Sequence, residues 1–340
     1  MIKIKVEKLK KIVQEILRGY DILPADAEEI ANHLIKANIM GMDSHGVMRL
    51  PYYLEEVKKG NINKLPTFKT KRIGDFTIID GDKGFGQIVA RYATEHAITS
   101  AKGKGISVVG AKNLSHVGML GYYTLMIAEH GMIGFATTNT DPAIAPVGSR
   151  KAALGTNPIS IAIPTGNSPI LLDMALSVAS GGKILFAKKH NEKIPIGWAL
   201  DAEGNPTQDP NEALNGTLLP IGMHKGYGLA LIIDIICGIL IGGGYGLELQ
   251  PGWASQGGLM VMAIDIELIK PLKEFYIEIQ RYLEIIKGLP TAPGYNRIMI
   301  PGEDLFEKIE NNKEDIQLDD ETYKLLLQLA EEGGIKISDE

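Results

Sequence analysis

Apolar residues recur at helical spacing from the start of the chain. Val6, Leu9, Ile12, Val13, Ile16 and Leu17 form one face, and Gly19 closes the segment. After Leu23-Pro24 a second pattern runs through Ala27, Ile30, Ala31, Leu34 and Ile35 and stops near Gly41. A third, around Tyr53, Leu54 and Val57, ends at Gly60, and a polar loop, Asp43-Ser44-His45-Gly46, separates the last two. From about residue 70 the period shortens. Thr77-Ile78-Ile79-Asp80-Gly81 and Ile106-Ser107-Val108-Val109 read as strands around a helix from Gln87 to Lys102. A helix from Gly121 to Glu129 and strands at Ile133 to Thr138, Ile159 to Ile163 and Ile170 to Leu172 follow. The pattern then predicts helix from Gly226 to Leu240, strand from Leu259 to Ile264, helix from Leu272 to Ile286 and strand from Arg297 to Ile300. A last helix starts at Asp320-Glu321-Thr322 and ends at Gly333-Gly334. Strands mixed with helices in this irregular order predict an α/β (α+β) fold without a regular doubly wound sheet.

Composition narrows the function classes. At 340 residues and 45% hydrophobic, the chain can fill a substantial core without disulfides or a structural metal. A net charge of −6 with no basic stretch argues against nucleic acid as a partner. The most apolar run, Leu229 to Ile241, is too short to span a bilayer and contains Asp234. With no signal-peptide core at the N-terminus, a cytoplasmic protein with no membrane partner is expected. The lone Cys237 has no Cys or His company at zinc spacing and reads as a buried, inert thiol. Glycine is over-represented, 39 residues, or about 11% against a usual ~7%.

Those glycines do not spell the common nucleotide motifs. No G-x-G-x-x-G, P-loop, G-x-S-x-G or H-E-x-x-H occurs. Three other constellations stand out. Asp43-Ser44-His45-Gly46-Val47-Met48-Arg49 offers a hydroxyl, an imidazole and a guanidinium. With helix from Gly46, His45 and Arg49 share a face, suited to proton transfer and carboxylate recognition; the plain alternative is a solvated capping loop. Asn113-Leu114-Ser115-His116-Val117-Gly118 joins a strand to a helix and sets His116 at a sheet mouth, or else caps the helix. Gly222-Met223-His224-Lys225-Gly226 leads into the apolar helix; freed amides and Lys225 there form an anion site suited to pyrophosphate, or an ordinary glycine turn. Pro301-Gly302-Glu303 repeats the theme weakly. Histidines 33, 96, 130 and 190 have no polar company and are expected at the surface.

Taken together, the blocks MDSHGVMRLPYY, GFGQIVA, SHVGMLGYY, TNTDPAIAPVG, LGTNPISIAIP, LLDMA, HKGYGLAL and GYNRIMIPGE, in order between residues 42 and 303, resemble the malate/L-lactate dehydrogenase-like oxidoreductases. The resemblance implies a mixed-sheet, non-Rossmann fold binding NAD or NADP, a homodimer, and a small 2-hydroxy acid or 2-oxo acid as substrate. It implies a helical part over residues 1–70, with 305–340 packing on it, and a cofactor- and substrate-binding domain over 71–304. Carried over, His116 is the acid/base, Ser44 and His45 belong to a polar relay, Arg49 clamps the carboxylate, and Thr140 and Thr156 line the pocket. Asp173, Met174, Ala175, His224, Lys225, Gly226, Pro301, Gly302 and Glu303 fall to the cofactor; no metal is implied. Departures occur at Leu176-Ser177 and Ser180-Gly181-Gly182, where Thr-Ser and Ala-Arg-Gly are usual. Met223 stands for a usual glycine, and Gly257-Gly258-Leu259-Met260 for Gly-His-Phe-Phe. Competing readings are a reductase of cyclic imines on the same fold, a Ser-His hydrolase using Ser44, Ser115 or His116, and a non-catalytic binding protein.

Overall fold

In the computed structural model, which describes residues 1–249, 252, 254 and 257–335, strand β1 (Ile2–Lys5) runs directly into helix α1 (Val6–Gly19). Helix α2 (Pro24–Ile39) follows, with Pro24 in its first turn where a missing N–H costs nothing. Two single turns of 3-10 helix, Asp43–His45 and Val47–Arg49, lead into α3 (Leu50–Lys58). The sheet region then supplies β2 (Lys69–Ile73), β3 (Phe76–Gly84), α4 (Gly86–Ala101), β4 (Ile106–Leu114), α5 (Leu120–Glu129), β5 (Met132–Thr138), β6 (Ile159–Ile163) and β7 (Ile170–Met174). An excursion carries α6 (Gly181–Lys189), the two-residue strand β8 (Ala199–Leu200), α7 (Pro210–Asn215), β9 (Thr217–Leu218) and α8 (His224–Ile233). Strand β10 (Leu259–Asp265), short α9 (Ile266–Ile269), α10 (Leu272–Lys287), α11 (Glu303–Asn312), β11 (Asp315–Leu318) and α12 (Asp320–Glu332) complete the chain.

Seven strands form one sheet in the order β2-β3-β4-β10-β5-β6-β7. Only β3 and β4 pair in parallel, as adjacent strands joined by the crossover helix α4; α5 likewise joins β4 to β5, but β10 lies between those two, and every other neighbour is antiparallel. This mixed order matches the fold expected and cannot carry the doubly wound dinucleotide site. Along β10, Leu259, Val261 and Ala263 are fully buried while the alternating Met260, Met262 and Ile264 are less so, the period of a strand covered more heavily on one face. Helices α4 and α5 pack against the sheet, and residues 234–241 approach β5 and β10.

A second core joins residues distant in sequence. Strand β1 pairs with β11, and Leu9, Ile16, Leu34, Tyr53, Ile316 and Leu326 share one apolar cluster. Leu305, Phe306 and Ile309 of α11 pack instead on a cluster containing Met40, Met119 and Leu171.

Three expectations are corrected. Residues 297–300 are not a strand: beyond β7 only Leu171 N–H bonds to the Pro301 carbonyl, and Pro301 has no N–H to extend a ladder. The helix expected over 226–240 is α-helical only to Ile233 and widens to π-helix over Asp234–Leu240. Its Asp234 carboxylate is drawn inward to accept from Gly246 N and Asn139 Nδ2, at 2.9 Å each. The polar loop at 43–46 is largely a 3-10 turn.

Candidate active site

The sheet's alternating directions bring the candidate residues to one end. Strands β4, β5 and β7 finish there, leading to Ser115-His116, to Asn139-Thr140 and to Asp173-Ala175; β6 and β10 begin there, preceded by Thr156-Asn157 and Gly257-Gly258. A cleft of about 260 Å³ opens at this end, lined by His45, Ser115, His116, Asn139, Thr140 and Thr156 among others. Its size suits a small acid rather than a polymer.

Helix α2 fixes the turn that brings His45 into the cleft. Asn38 donates from Nδ2 to Asp43 Oδ1 at 2.7 Å and accepts the Val47 N–H at 2.9 Å. Gly46 is required between them, since a Cβ there would meet the Asn38 amide at 2.3 Å. Ser44 Oγ lies 3.0 Å from His45 Nδ1, and Arg49 Nε donates to the Ser44 carbonyl at 2.5 Å, its guanidinium 5.9 Å from the Tyr52 ring centroid. Arg49 thus reaches back to the serine turn, joining the group expected from the sequence.

His116 stacks on His45 with ring centroids 5.8 Å apart, and its Nδ1 lies 2.7 Å from the hydroxyl of Tyr53 on α3. Burial, with smaller contributions from His45 and Arg49, holds the His116 imidazole well below its usual range. His45 is lowered to about 4 by burial and by Arg49. Both rings are therefore neutral at pH 7, the form that accepts a proton. Tyr53 was absent from the candidates because in the sequence it is simply one apolar position of a short helix.

His33, expected at the surface, is fully buried. Helix α2 is packed by α1 and by α4 and α5, which leaves only a narrow stripe through Glu28, Asn32 and Lys36 toward solvent, and His33 lies off that stripe. Burial lowers the His33 imidazole to about 3. His130 and His190 are exposed as expected, and His96 is half-buried.

A buried amide network builds the far wall. Asn157 accepts the Thr140 N–H at 3.0 Å and donates to the Ala230 carbonyl of α8 at 2.8 Å. Thr140 Oγ1 accepts the Thr156 N–H at 3.1 Å, which brings the two threonines together on the cleft wall. Asn139 accepts from Gly258 N and donates to Asp234 and to Gly244 O. The signal for these asparagines lay in the paired Thr-Asn steps of TNTDP and LGTNP. Asp141 also lines the cleft, its carboxyl pushed up by burial.

The segments expected at a cofactor adjoin this wall. Leu176 N donates to the Thr156 carbonyl and Ile221 N to the Leu176 carbonyl, both at 2.8 Å, so residues 174–177 bridge Thr156 and the turn before α8. Asp173 accepts from Gly121 N at 2.8 Å, and burial pushes its carboxyl up to about 7. At the start of α8 the picture differs from the expectation of freed amides: Lys225, Gly226 and Tyr227 N–H groups donate to Gly222, Ile221 and Met223 carbonyls. The donors left for an anion are the exposed His224 and Lys225 side chains, whose chemistry fits a pyrophosphate. Met223 stands at φ +51°, a left-handed conformation that favours glycine over a residue with a side chain. The Pro301-Gly302 turn packs under Leu171 behind β7, and Glu303 accepts from Ile300 N and pairs with Lys287 rather than facing the cleft. Among the described residues no group of His, Cys, Asp and Glu could hold a metal ion, and no helix is long and apolar enough to cross a membrane. Cys237 is buried, its thiol pushed up to about 12.

Comparison with known proteins places the whole chain beside dehydrogenases. The family described as malate/L-lactate dehydrogenase matches residues 4–327. The chain is 39% identical to a malate dehydrogenase of Pyrococcus horikoshii, covering 98% of this chain and 96% of that protein. It is 31% identical to the ureidoglycolate dehydrogenase (NAD(+)) of Escherichia coli K12, covering 96% of each. The solved sulfolactate dehydrogenase of Methanocaldococcus jannaschii superposes with a TM-score of 0.94 at 37% identity, over 99% of both chains.

Proposed function

The chain belongs to the malate/L-lactate dehydrogenase family, and from that premise we propose how its cleft carries out the reversible oxidation of a small 2-hydroxy acid to the 2-oxo acid. The observation that carries the reading is His116: a neutral imidazole, oriented through Nδ1 by Tyr53, at the mouth of a cleft walled by Thr140 and Thr156.

His116 accepts the hydroxyl proton of the 2-hydroxy acid during oxidation and returns it during reduction. With Nδ1 engaged by Tyr53, Nε2 is the exchanging nitrogen. His45 and Ser44 form a relay beside it. Arg49 holds the substrate carboxylate, and Thr140 and Thr156 orient the remainder. Asp173, Met174, Ala175, His224, Lys225 and Gly226 would hold the nicotinamide cofactor, NAD or NADP. Lys225 and His224 would face its phosphates, with Pro301-Gly302-Glu303 supporting the strand behind. When bound, that cofactor supplies the two-electron acceptor for the carbinol carbon. General acid–base help of the kind assigned to His116 is worth ~10²–10⁴-fold.

A serine hydrolase is disfavoured by the geometry. Ser115 is buried with its hydroxyl accepting from Gly86 N, and the Ser44-His45 pair has Arg49 beside it in place of an orienting carboxylate.

The proposal extends to a cytoplasmic homodimer. The helical segment 229–240 leaves Leu229, Ile232, Ile235, Ile239 and Leu240 exposed, an apolar face a second copy would cover. It also keeps residues 1–70 with 305–340, of which 336–340 lie outside the described residues, as a helical part, supported by the β1–β11 pairing, and 71–304 as the cofactor- and substrate-binding part.

The test is a panel of pyruvate, oxaloacetate and a cyclic imine with NADH and with NADPH, run on the wild type and on His116→Ala. Turnover of a 2-oxo acid that drops at least ~10²-fold in His116→Ala with cofactor still bound is the expected result. Turnover of the imine alone, or an active His116→Ala, overturns it.

A further inference from the structure

The segment that carries His116 is held residue by residue from different elements. Ser115 N donates to Gly84 O, and Ser115 Oγ accepts from Gly86 N. The Val117 carbonyl accepts from the Tyr123 hydroxyl at 2.6 Å. The Met119 N–H, just ahead of α5, donates to Nε2 of the fully buried His33 at 2.9 Å. Amides ahead of a helix have no carbonyl partner within it, so a side chain must take them. Gly118, at φ +75°, lies so close beneath the His33 ring that a Cβ would fall 2.1 Å from Nε2. Tyr122 and Tyr123 pack on the ring at 4.8 and 5.5 Å between centroids.

Because Nε2 accepts, its proton sits on Nδ1, and Nδ1 has no hydrogen-bond partner among the described residues. A histidine kept in full burial with one nitrogen unsatisfied would be replaced cheaply by leucine if it served only as filling. Among the described residues its one hydrogen bond goes to the loop of the acid/base. The same helix, through Asn38, holds the turn of His45.

We propose that His33 is a positioning residue for the dehydrogenase reaction: by accepting the Met119 N–H and capping Gly118, it sets the place of His116 against the substrate. The inference rests on the assignment of His116 above. Displacement of a reacting group by a fraction of an ångström is enough to cost an order of magnitude or more in rate.

The test compares His33→Leu, His33→Asn and His33→Gln with His116→Ala, using the best substrate of pyruvate, oxaloacetate and the cyclic imine with its preferred reduced nicotinamide. Leucine keeps the volume without an acceptor. Asparagine carries an amide one bond too short to reach Met119, and glutamine carries the same amide at the reach of Nε2. The expected result is a kcat lowered ~10-fold or more in His33→Leu and His33→Asn, with the KM of the nicotinamide within about twofold, and recovery to within ~3-fold of wild type in His33→Gln. The Asn–Gln pair carries the comparison if the leucine variant fails to fold. Wild-type kcat in the asparagine variant, or a glutamine variant as slow as asparagine, overturns the positioning role while a slow His116→Ala leaves the acid/base assignment standing. A His116→Ala enzyme as fast as wild type overturns both.

Discussion

The hydroxyl of Tyr53 lies 2.7 Å from Nδ1 of His116, so a helix from the N-terminal core orients a ring that belongs to the sheet. With His116 as the proposed base, Nε2 carries the exchanging lone pair and Nδ1–H donates to the Tyr53 oxygen, which burial helps keep protonated. Tyr53→Phe removes the acceptor and leaves the tautomer unselected. We expect kcat to fall about tenfold, the worth of one such hydrogen bond, with cofactor affinity unchanged. Steady-state kinetics beside a cofactor titration check this; an unaltered kcat removes Tyr53 from the site.

The low basicity of His116 fixes the pH dependence. Burial first, then His45 and Arg49, lower it well below the ordinary 6.5, so the base is already deprotonated at neutral pH. The kcat/KM for oxidation of the 2-hydroxy acid should show no fall as pH drops through 6.5, and should decline only at more acid pH, where the ring gains its proton. A pH–rate profile in the oxidation direction with its acid limb centred near 6.5 contradicts this.

His33 makes a separate prediction about stability. Its folded value, about 3, lies below its unfolded value near 6.5, so below pH 6.5 the unfolded chain binds the extra proton. The contribution is fully present above pH 6.5 and is lost as pH falls toward 3, with about 2 kcal/mol gone by pH 5. His33→Gln does not titrate, so its stability should fall less steeply between pH 6.5 and 4 than that of the wild type. Urea denaturation across that range measures the slopes; parallel slopes refute the burial argument.

How much of this was legible depends on the range of the signal. The helical repeat of α1 and the strand runs of β4 and β10 rest on short-range patterns, and each element is where the sequence placed it. His33 was misread because α2 keeps only a narrow polar stripe, Glu28, Asn32 and Lys36, and a single polar residue just off it carries no local sign that it points inward. Tyr53 acts through a contact with His116, far away in the chain, for which a single sequence has no local mark; the Thr-Asn steps mark Asn139 and Asn157 but not their distant partners, such as Ala230 for Asn157. The false strand at 297–300 has the right residue types, but Pro301 ends the pairing after one hydrogen bond.

Met223 marks a departure with a measurable cost. Its φ of +51° with ψ −104° is disfavoured for any side chain, at roughly 1–3 kcal/mol, and glycine escapes that strain while losing roughly 0.5–1 kcal/mol to its freer unfolded state. Met223→Gly should therefore raise stability by about 1 kcal/mol and lift the melting temperature by a few degrees. Calorimetry on the pair decides it, and a lower melting temperature in the glycine variant shows that the Met223 side chain contributes more than its backbone costs.

The exposed face of the helical segment 229–240 yields the last prediction. Leu229, Ile232, Ile235 and Ile239 are spaced by three and four residues, with Leu240 next to the last, and Ile232, Ile239 and Leu240 are 54, 58 and 66% exposed. A contiguous apolar face of this kind is rare on a monomer, and two-fold pairing lets the same patch cover itself. The segment is rigidly tied to the site, since Asp234 within it bonds Asn139 of the cleft wall. Sedimentation should therefore give twice the 36.9 kDa chain mass for the wild type. Ile232→Glu with Ile239→Glu places two charges on the face of each copy, four at a two-fold contact, and should shift the protein to monomer with a lower melting temperature. Because the partner would no longer brace the segment behind Asn139, turnover should fall with it. A double variant that sediments as a dimer shows that the copies meet through some other surface.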